Sequence, residues 1–66
     1  MTKEEAAKLT SIQLMARTIK IKYRDDFVRE GTILRRDGDD LVIEWKDTGG
    51  ITYIYVHNRR IIEVSD

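Results

Sequence analysis

The chain holds a single histidine, His57, followed at once by Asn58, Arg59 and Arg60. An imidazole and an amide side by side can donate or accept hydrogen bonds, and Arg59 can supply a phosphate contact or a flat guanidinium plane. Taken alone, His57 reads equally well as a polar strand end, a role in the turn suffices for Asn58, and a solvated loop arginine is the commoner reading of Arg59. A second concentration is acidic, with Asp37, Asp39 and Asp40 around Gly38. That run invites a calcium reading, but the remaining spaced oxygens and the closing glutamate of an EF-hand loop are missing. Turn chemistry accounts for all four residues. Catalysis finds little support: there is no cysteine, no histidine–carboxylate pair at a telling spacing, no phosphate-cradling glycine loop and no metal-ligand cluster. The expectation is a non-enzyme with no cofactor, metal or small-molecule substrate.

The elements that must position these residues are short. Met1 to about Met15 is predicted to be one helix, with Thr2 as N-cap and Glu5 completing a capping box. Leu9, Ile12, Met15 and Ala16 fall on its apolar side, with Ala6 at the edge. The period then changes. Ile19, Ile21 and Tyr23 alternate with Lys20 and Lys22, the pattern of a half-buried strand. Asp25-Asp26 supplies a turn, and Phe27 to Arg36 forms a second strand broken by Gly31, where a glycine marks a bend or a close backbone approach. The acidic run makes a hairpin turn into a third strand, Leu41 to Lys46. Asp47 to Gly50 is a glycine-rich loop before a fourth strand, Ile51 to His57. On that strand Ile54 and Val56 lie on one face, and Ile51, Tyr53 and Tyr55 on the other, so both faces are expected to be covered. Asn58, a residue suited to a left-handed backbone position, opens a short link to the last strand, Ile61 to Val64.

Composition bounds the rest. Sixty-six residues make one small domain, and a chain of this size buries only about 60% of the surface it exposes when unfolded. Without cysteine it has no disulfide to reinforce it, so very good packing or partner subunits are required. Twelve basic and twelve acidic side chains cancel, which weighs against holding nucleic acid by bulk electrostatics and leaves RNA binding to basic groups concentrated on one face. No apolar run approaches a membrane span and the start does not resemble a secretion signal. A cytoplasmic setting with no membrane partner is expected.

The layout of a helix and five short strands with a glycine-bent second strand resembles the Sm-like family, which includes the Sm and LSm proteins and the bacterial RNA chaperone Hfq. The family's first motif has a strand, a turn, a bent strand with a central glycine, an aspartate six residues on, and an asparagine before a hydrophobic triplet. Ile19 to Tyr23, Gly31, Asp37 and the triplet Leu41, Val42 and Ile43 match that order, with Asp40 where the asparagine stands. The second motif, a hydrophobic residue, Arg-Gly, two polar residues and a short apolar strand, is similar to Val56 through Val64, with His57-Asn58 in place of Arg-Gly. Other departures are Asp26 for the usual turn glycine and a loop one residue short after Asp37.

The resemblance implies one domain over residues 1–66, an N-terminal helix (1–16) and a strongly bent five-stranded SH3-like barrel (17–66). It implies a closed homo-oligomeric ring of five to seven subunits in which the fourth strand of one copy pairs with the fifth of the next. Tyr53, Ile54, Tyr55, Val56, Ile61, Ile62 and Val64 would form that interface. Single-stranded RNA would bind around the pore, with Asp37, Asp40, His57, Asn58 and Arg59 as the contacting residues, in a chaperone or RNA-processing scaffold role. Crowded copies of Asp37, Asp39 and Asp40 would repel phosphate unless Arg36, Arg59 or bound cations offset them. Two alternatives stand beside this reading. One is a monomeric SH3-like or Tudor-like protein-interaction module with Trp45, Tyr53 and Tyr55 lining a peptide groove. The other is a Sm-like scaffold that does not bind RNA.

Overall fold

A computed structural model describes residues Met1–Asp66. The fold is mainly β: two one-turn helices, α1 (Lys3–Ala6) and α2 (Ser11–Leu14), precede strands β1 (Thr18–Arg24), β2 (Phe27–Asp37), β3 (Asp40–Trp45), β4 (Ile51–Tyr55) and β5 (Ile61–Val64). All the strands lie in one antiparallel sheet of order β4-β3-β2-β1-β5. No helix is long and apolar enough to cross a membrane.

The N-terminal region corrects the expectation of one continuous helix. Thr10 adopts an extended backbone and caps a second helix, its hydroxyl accepting from the Gln13 N–H while the Gln13 Oε1 accepts from the Thr10 N–H. This second capping box, Thr10–Gln13, repeats the Thr2–Glu5 box ahead of α1. Neither one-turn helix is stable alone, so each is held by its caps and by docking. The break also changes which residues face inward. Ala6 and Leu14 are buried, whereas Ile12 is 83% exposed and Met15 and Ala16 also face solvent. Leu9 keeps its expected place, packed against the core. The chain then turns into β1 through Ala16 at φ 69°, the one residue other than glycine with a positive φ. Asn58, expected to suit such a position, does not have a positive φ.

The core is formed by the inner face of the sheet: Ile19 and Ile21 of β1, Ile33 of β2, Leu41 and Ile43 of β3, Val56, and Ile61 and Val64 of β5, closed by Ala6 and Leu14. Strict alternation does not give this set. On β5 the pairing with β1 slips between Lys20 and Ile21, so that Ile21 faces Ile61 and Lys20 faces Glu63. The extra residue, Ile62, is pushed outward, and Ile61 and Val64 both turn in despite their spacing of three. A second bulge lies on β2 between Ile33 and Arg35, which moves Arg36 opposite the inward Leu41.

Gly31 lies where β2 is paired on both sides, to Ile19 and to Trp45. A Cβ there would stand 3.3 Å from the Glu44 carbonyl oxygen, 3.4 Å from Ile43 Cδ1 and 3.5 Å from Ile19 Cγ2. The sequence reading of this glycine as a close backbone approach agrees with that spacing. At the β2–β3 turn, Gly38 has φ 61° in a two-residue connection between Asp37 and Asp40. Glycine with positive φ at the first central position is the geometry that matches the twist of a hairpin.

Two expectations about the sheet are corrected. The hydrogen-bonded ladder does not close into a barrel: β4 and β5 are its two edges and do not pair with each other. The outer face of β4 is not covered either, since Ile51, Tyr53 and Tyr55 are all more than half exposed. The strand runs only to Tyr55, because Val56 and His57 already belong to the turn toward β5.

These contacts fix two stability outcomes. Gly31→Val should lower unfolding stability by about 1–3 kcal/mol, the usual cost of forcing extra atoms into a packed core. A urea midpoint unchanged from wild type would show that β2 and β3 can move apart. Ala16→Gly should raise stability by roughly 0.5–1 kcal/mol, because relief of the left-handed strain exceeds the added chain entropy. An unaltered or lower midpoint would count against strain at that residue.

Candidate functional site

The structure brings the acidic turn and the histidine segment to the same end of the sheet. Asp40 pairs with Tyr55 across β3 and β4, and the Val56 N–H donates to the Asp39 carbonyl at 2.8 Å. Asp37 and Asp40 are exposed and form no ion pair. His57 is exposed and its ring meets that of Tyr55 edge-on, with centroids 5.4 Å apart. Asn58 is half-buried and organises the link: its N–H donates to the Tyr55 carbonyl at 2.9 Å, and its Oδ1 accepts from the Arg60 N–H at 2.8 Å. That side-chain acceptor is what an asparagine turn uses, and it explains the residue without a left-handed backbone. Arg59 is exposed and makes no hydrogen bond or ion pair, so its guanidinium is free.

Arg36 is not available to this rim. Its Nη1 donates to the carbonyls of Ala7 at 2.6 Å and Leu9 at 2.9 Å, and its Nε donates to Gly38 at 2.7 Å. The guanidinium thus satisfies carbonyls that α1 leaves unpaired at its C-terminal end and ties the helices to the β2–β3 turn. Only a long approach to Asp39, 3.9 Å, remains on the rim side. The end of the sheet that presents Asp37, Asp39, Asp40 and His57 is therefore acidic, with Arg59 as its free cation.

Of the residues expected at a strand-edge interface, Tyr53, Tyr55 and Ile62 are exposed and Ile54 is half-buried. Val56, Ile61 and Val64 are buried in the core of the single chain, so their side chains face away from the edges. Tyr53 also stands opposite the buried Val42. Arg35, Val42 and Tyr53 form one cross-strand row, the Arg35 Nη2 reaches the Tyr53 hydroxyl at 3.4 Å, and Val42 beneath is 1% exposed.

The opposite end of the curled sheet contains a cluster that the sequence reading missed. Arg29 lies on the inner face of β2, two residues before Gly31, and its guanidinium stacks 4.0 Å from the Trp45 ring centroid and 4.9 Å from that of Tyr23. Its edge meets Asp47 through two bonds, Nη2 to Oδ1 at 2.8 Å and Nε to Oδ2 at 3.1 Å. With its side chain 13% exposed, Arg29 closes this end of the core between two aromatic rings. The signal was present in the alternation, because Phe27, Arg29, Gly31 and Ile33 share a face and a charge on an inward face requires a partner.

Beside this cluster an open groove of about 340 Å³ runs between β1 and the edge of β4. Ile21 and Ile54 belong to its apolar part, Tyr23, Trp45 and Tyr53 line it, and Lys22, Thr52, Asn58 and Arg60 complete it. Tyr55 is not among the lining residues, so the three aromatics expected to share one groove are divided between two ends of the molecule. No group of histidine and carboxylate side chains is arranged to hold a metal ion.

The hydrogen bonds from Arg29 hold the Asp47 carboxyl below the usual carboxylate range, against the opposing effect of partial desolvation, and the same pairing raises Arg29. The unfolded aspartate titrates near about 3.9. Because the folded value is lower, the pair's contribution is complete above that pH and fades as pH falls through the folded value. Wild type should therefore be more stable than Asp47→Asn near neutral pH, and the two should converge in acid. Urea midpoints that stay equally far apart down to about pH 2 would show that the carboxylate's charge is not what Arg29 uses. In comparisons with protein-family models, curated proteins and solved structures, nothing matches the chain.

Proposed function

We propose that this chain is a Sm-like subunit that assembles into a closed homo-oligomeric ring and binds single-stranded RNA around the pore. The observation that carries the reading is the pair of unpaired edges, β4 and β5, of a small five-stranded antiparallel sheet. Exposed Ile51, Tyr53 and Tyr55 flank one edge and Ile62 lies on the other. Free edges of this kind invite pairing with another chain, and head-to-tail pairing of β4 on β5 removes both at once when the ring closes. In such a ring the strand backbones and the Tyr53, Tyr55 and Ile62 side chains make the contact, while Val56, Ile61 and Val64 continue to fill each subunit's own core. The curl of each sheet then completes the SH3-like barrel of the family.

The RNA part of the proposal rests on His57, Asn58 and Arg59 standing together at the end of the sheet where β4 leads into β5. An exposed imidazole beside a tyrosine ring suits an unstacked base, and the free Arg59 suits its phosphate. Asp37 and Asp40 would contact the base edges as acceptors and not the phosphates. Because Arg36 is committed to helix carbonyls, a cation supplied from solution strengthens binding at this acidic rim.

Mass in solution and RNA retention test the two parts separately. Light scattering should give about five to seven times the 7.8 kDa chain mass, and Ile62→Asp should shift it toward the single chain. A wild-type particle that stays at 7.8 kDa overturns the ring and favours a monomeric interaction module. Filter binding of hexauridine and hexaadenosine should show retention that Mg²⁺ increases and that His57→Ala weakens by about tenfold. Negligible retention of both oligonucleotides, unaffected by His57→Ala, would remove RNA while leaving the ring as a scaffold.

A further inference from the structure

The groove between β1 and β4 differs in charge from every other concave surface of the molecule. The chain as a whole is neutral. The other concavity, around Phe27 and Val28, has Glu30 and Asp47 in its lining opposite Arg29 and Lys46. The β1–β4 groove has Lys22 and Arg60 and no carboxylate. Its walls are aromatic and aliphatic, with Tyr23 and Trp45 in an edge-on pair whose centroids are 6.4 Å apart. The cations are available for an outside ligand. Lys22 makes no ion pair, and Arg60 engages only through Nη1, in long contacts of 3.3 and 3.4 Å to the Lys22 and Tyr23 carbonyls. The Asn58 amide nitrogen is also free, since only Oδ1 is used.

We infer that this groove is a nucleotide-binding site, in which a flat base lies against the aromatic and aliphatic walls and its phosphate meets Lys22 and Arg60. The physical reason is the combination of chemistries within one groove. A purely apolar slot would take any hydrophobic side chain, and an isolated basic patch any anion. An aromatic wall with two cations at its border selects a ligand that is flat at one end and doubly or singly anionic at the other. The free Asn58 amide adds a donor for an acceptor on the base or sugar. The seam exists because the sheet curls without closing its ladder, so β1 and the β4 edge face each other across a gap. The groove shares Asn58 with the His57 rim and Tyr53 with the proposed ring contact, but its tryptophan and both of its cations belong to neither.

The single tryptophan lines the groove, so its fluorescence reports occupancy directly. The probes are adenosine monophosphate, hexaadenosine and, as an anionic chain without bases, polyglutamate. Titration of the full chain should give saturable quenching by the adenine probes and none by polyglutamate. Lys22→Glu and Arg60→Glu, both exposed positions, should each weaken it about tenfold, the scale of one lost charged contact. Lys8→Glu, a charge reversal at an exposed position of the helical segment outside the groove, should leave it unaltered, which separates the groove's own cations from a general loss of positive charge. Tighter binding of the hexanucleotide than of the mononucleotide would identify a single strand as the source of the ligand, and equal binding would identify the free nucleotide. The absence of quenching by both adenine probes would overturn the site, as would equal quenching by polyglutamate or insensitivity to both charge reversals. Circular dichroism of the variants checks that they fold, and the two independent charge reversals keep the test intact if one does not.

Discussion

The structure depends on how closely β2 approaches its neighbours at Gly31. At that residue the strand is paired on both sides, and the Glu44 carbonyl stands where a side chain would begin. Removing the Cβ lets the long strand belong to two halves of one curled sheet. Without that approach the inner faces of β1 and β3 would diverge, and Ile19, Ile33 and Ile43 would lose the mutual contact that leaves each 0% exposed. A chain this short has few other ways to remove apolar surface from water.

Two arginines on the same strand close the two ends of the core that this curl creates. Arg29, before the glycine, is stacked between Tyr23 and Trp45 and held by Asp47. Arg36, after the bulge, is bound to carbonyls of the helical segment and the β2–β3 turn. Both use the flat, multiply donating guanidinium in ways a lysine could not reproduce. Their commitment has a functional consequence. Both are committed to other partners, so among the residues beside the two proposed sites the accessible basic groups are Arg59, Lys22 and Arg60.

What remains unsatisfied in the single chain is as informative as what is packed. The sheet ends in two unpaired strands, and the outer face of β4 exposes Ile51, Tyr53 and Tyr55. The proposed ring follows from these edges, while the proposed groove follows from the seam between β1 and β4. The two readings draw on different residues, with Tyr55 and His57 at one end and Tyr23 and Trp45 at the other. Tyr53 and Asn58 touch both, Tyr53 on the β4 edge and Asn58 beside His57, and both line the groove.

The sequence by itself determined the strands, their turns and the special place of Gly31, because alternation and glycine or aspartate turn chemistry are local properties. It did not determine the break between α1 and α2, although the Thr10–Gln13 box was written there, since an apolar stripe at helical spacing outweighed a cap in mid-segment. The tertiary structure alone decided which residues face inward after each bulge. Ile61 and Val64 both reach the core, and Arg36 takes the inward position that alternation assigns to Arg35, because one extra residue in a ladder reverses every side chain beyond it. The same holds for the opposite ends occupied by Trp45 and Tyr55, ten residues apart in the chain. Their separation is set by where the curled sheet leaves its gap, and no local pattern encodes that.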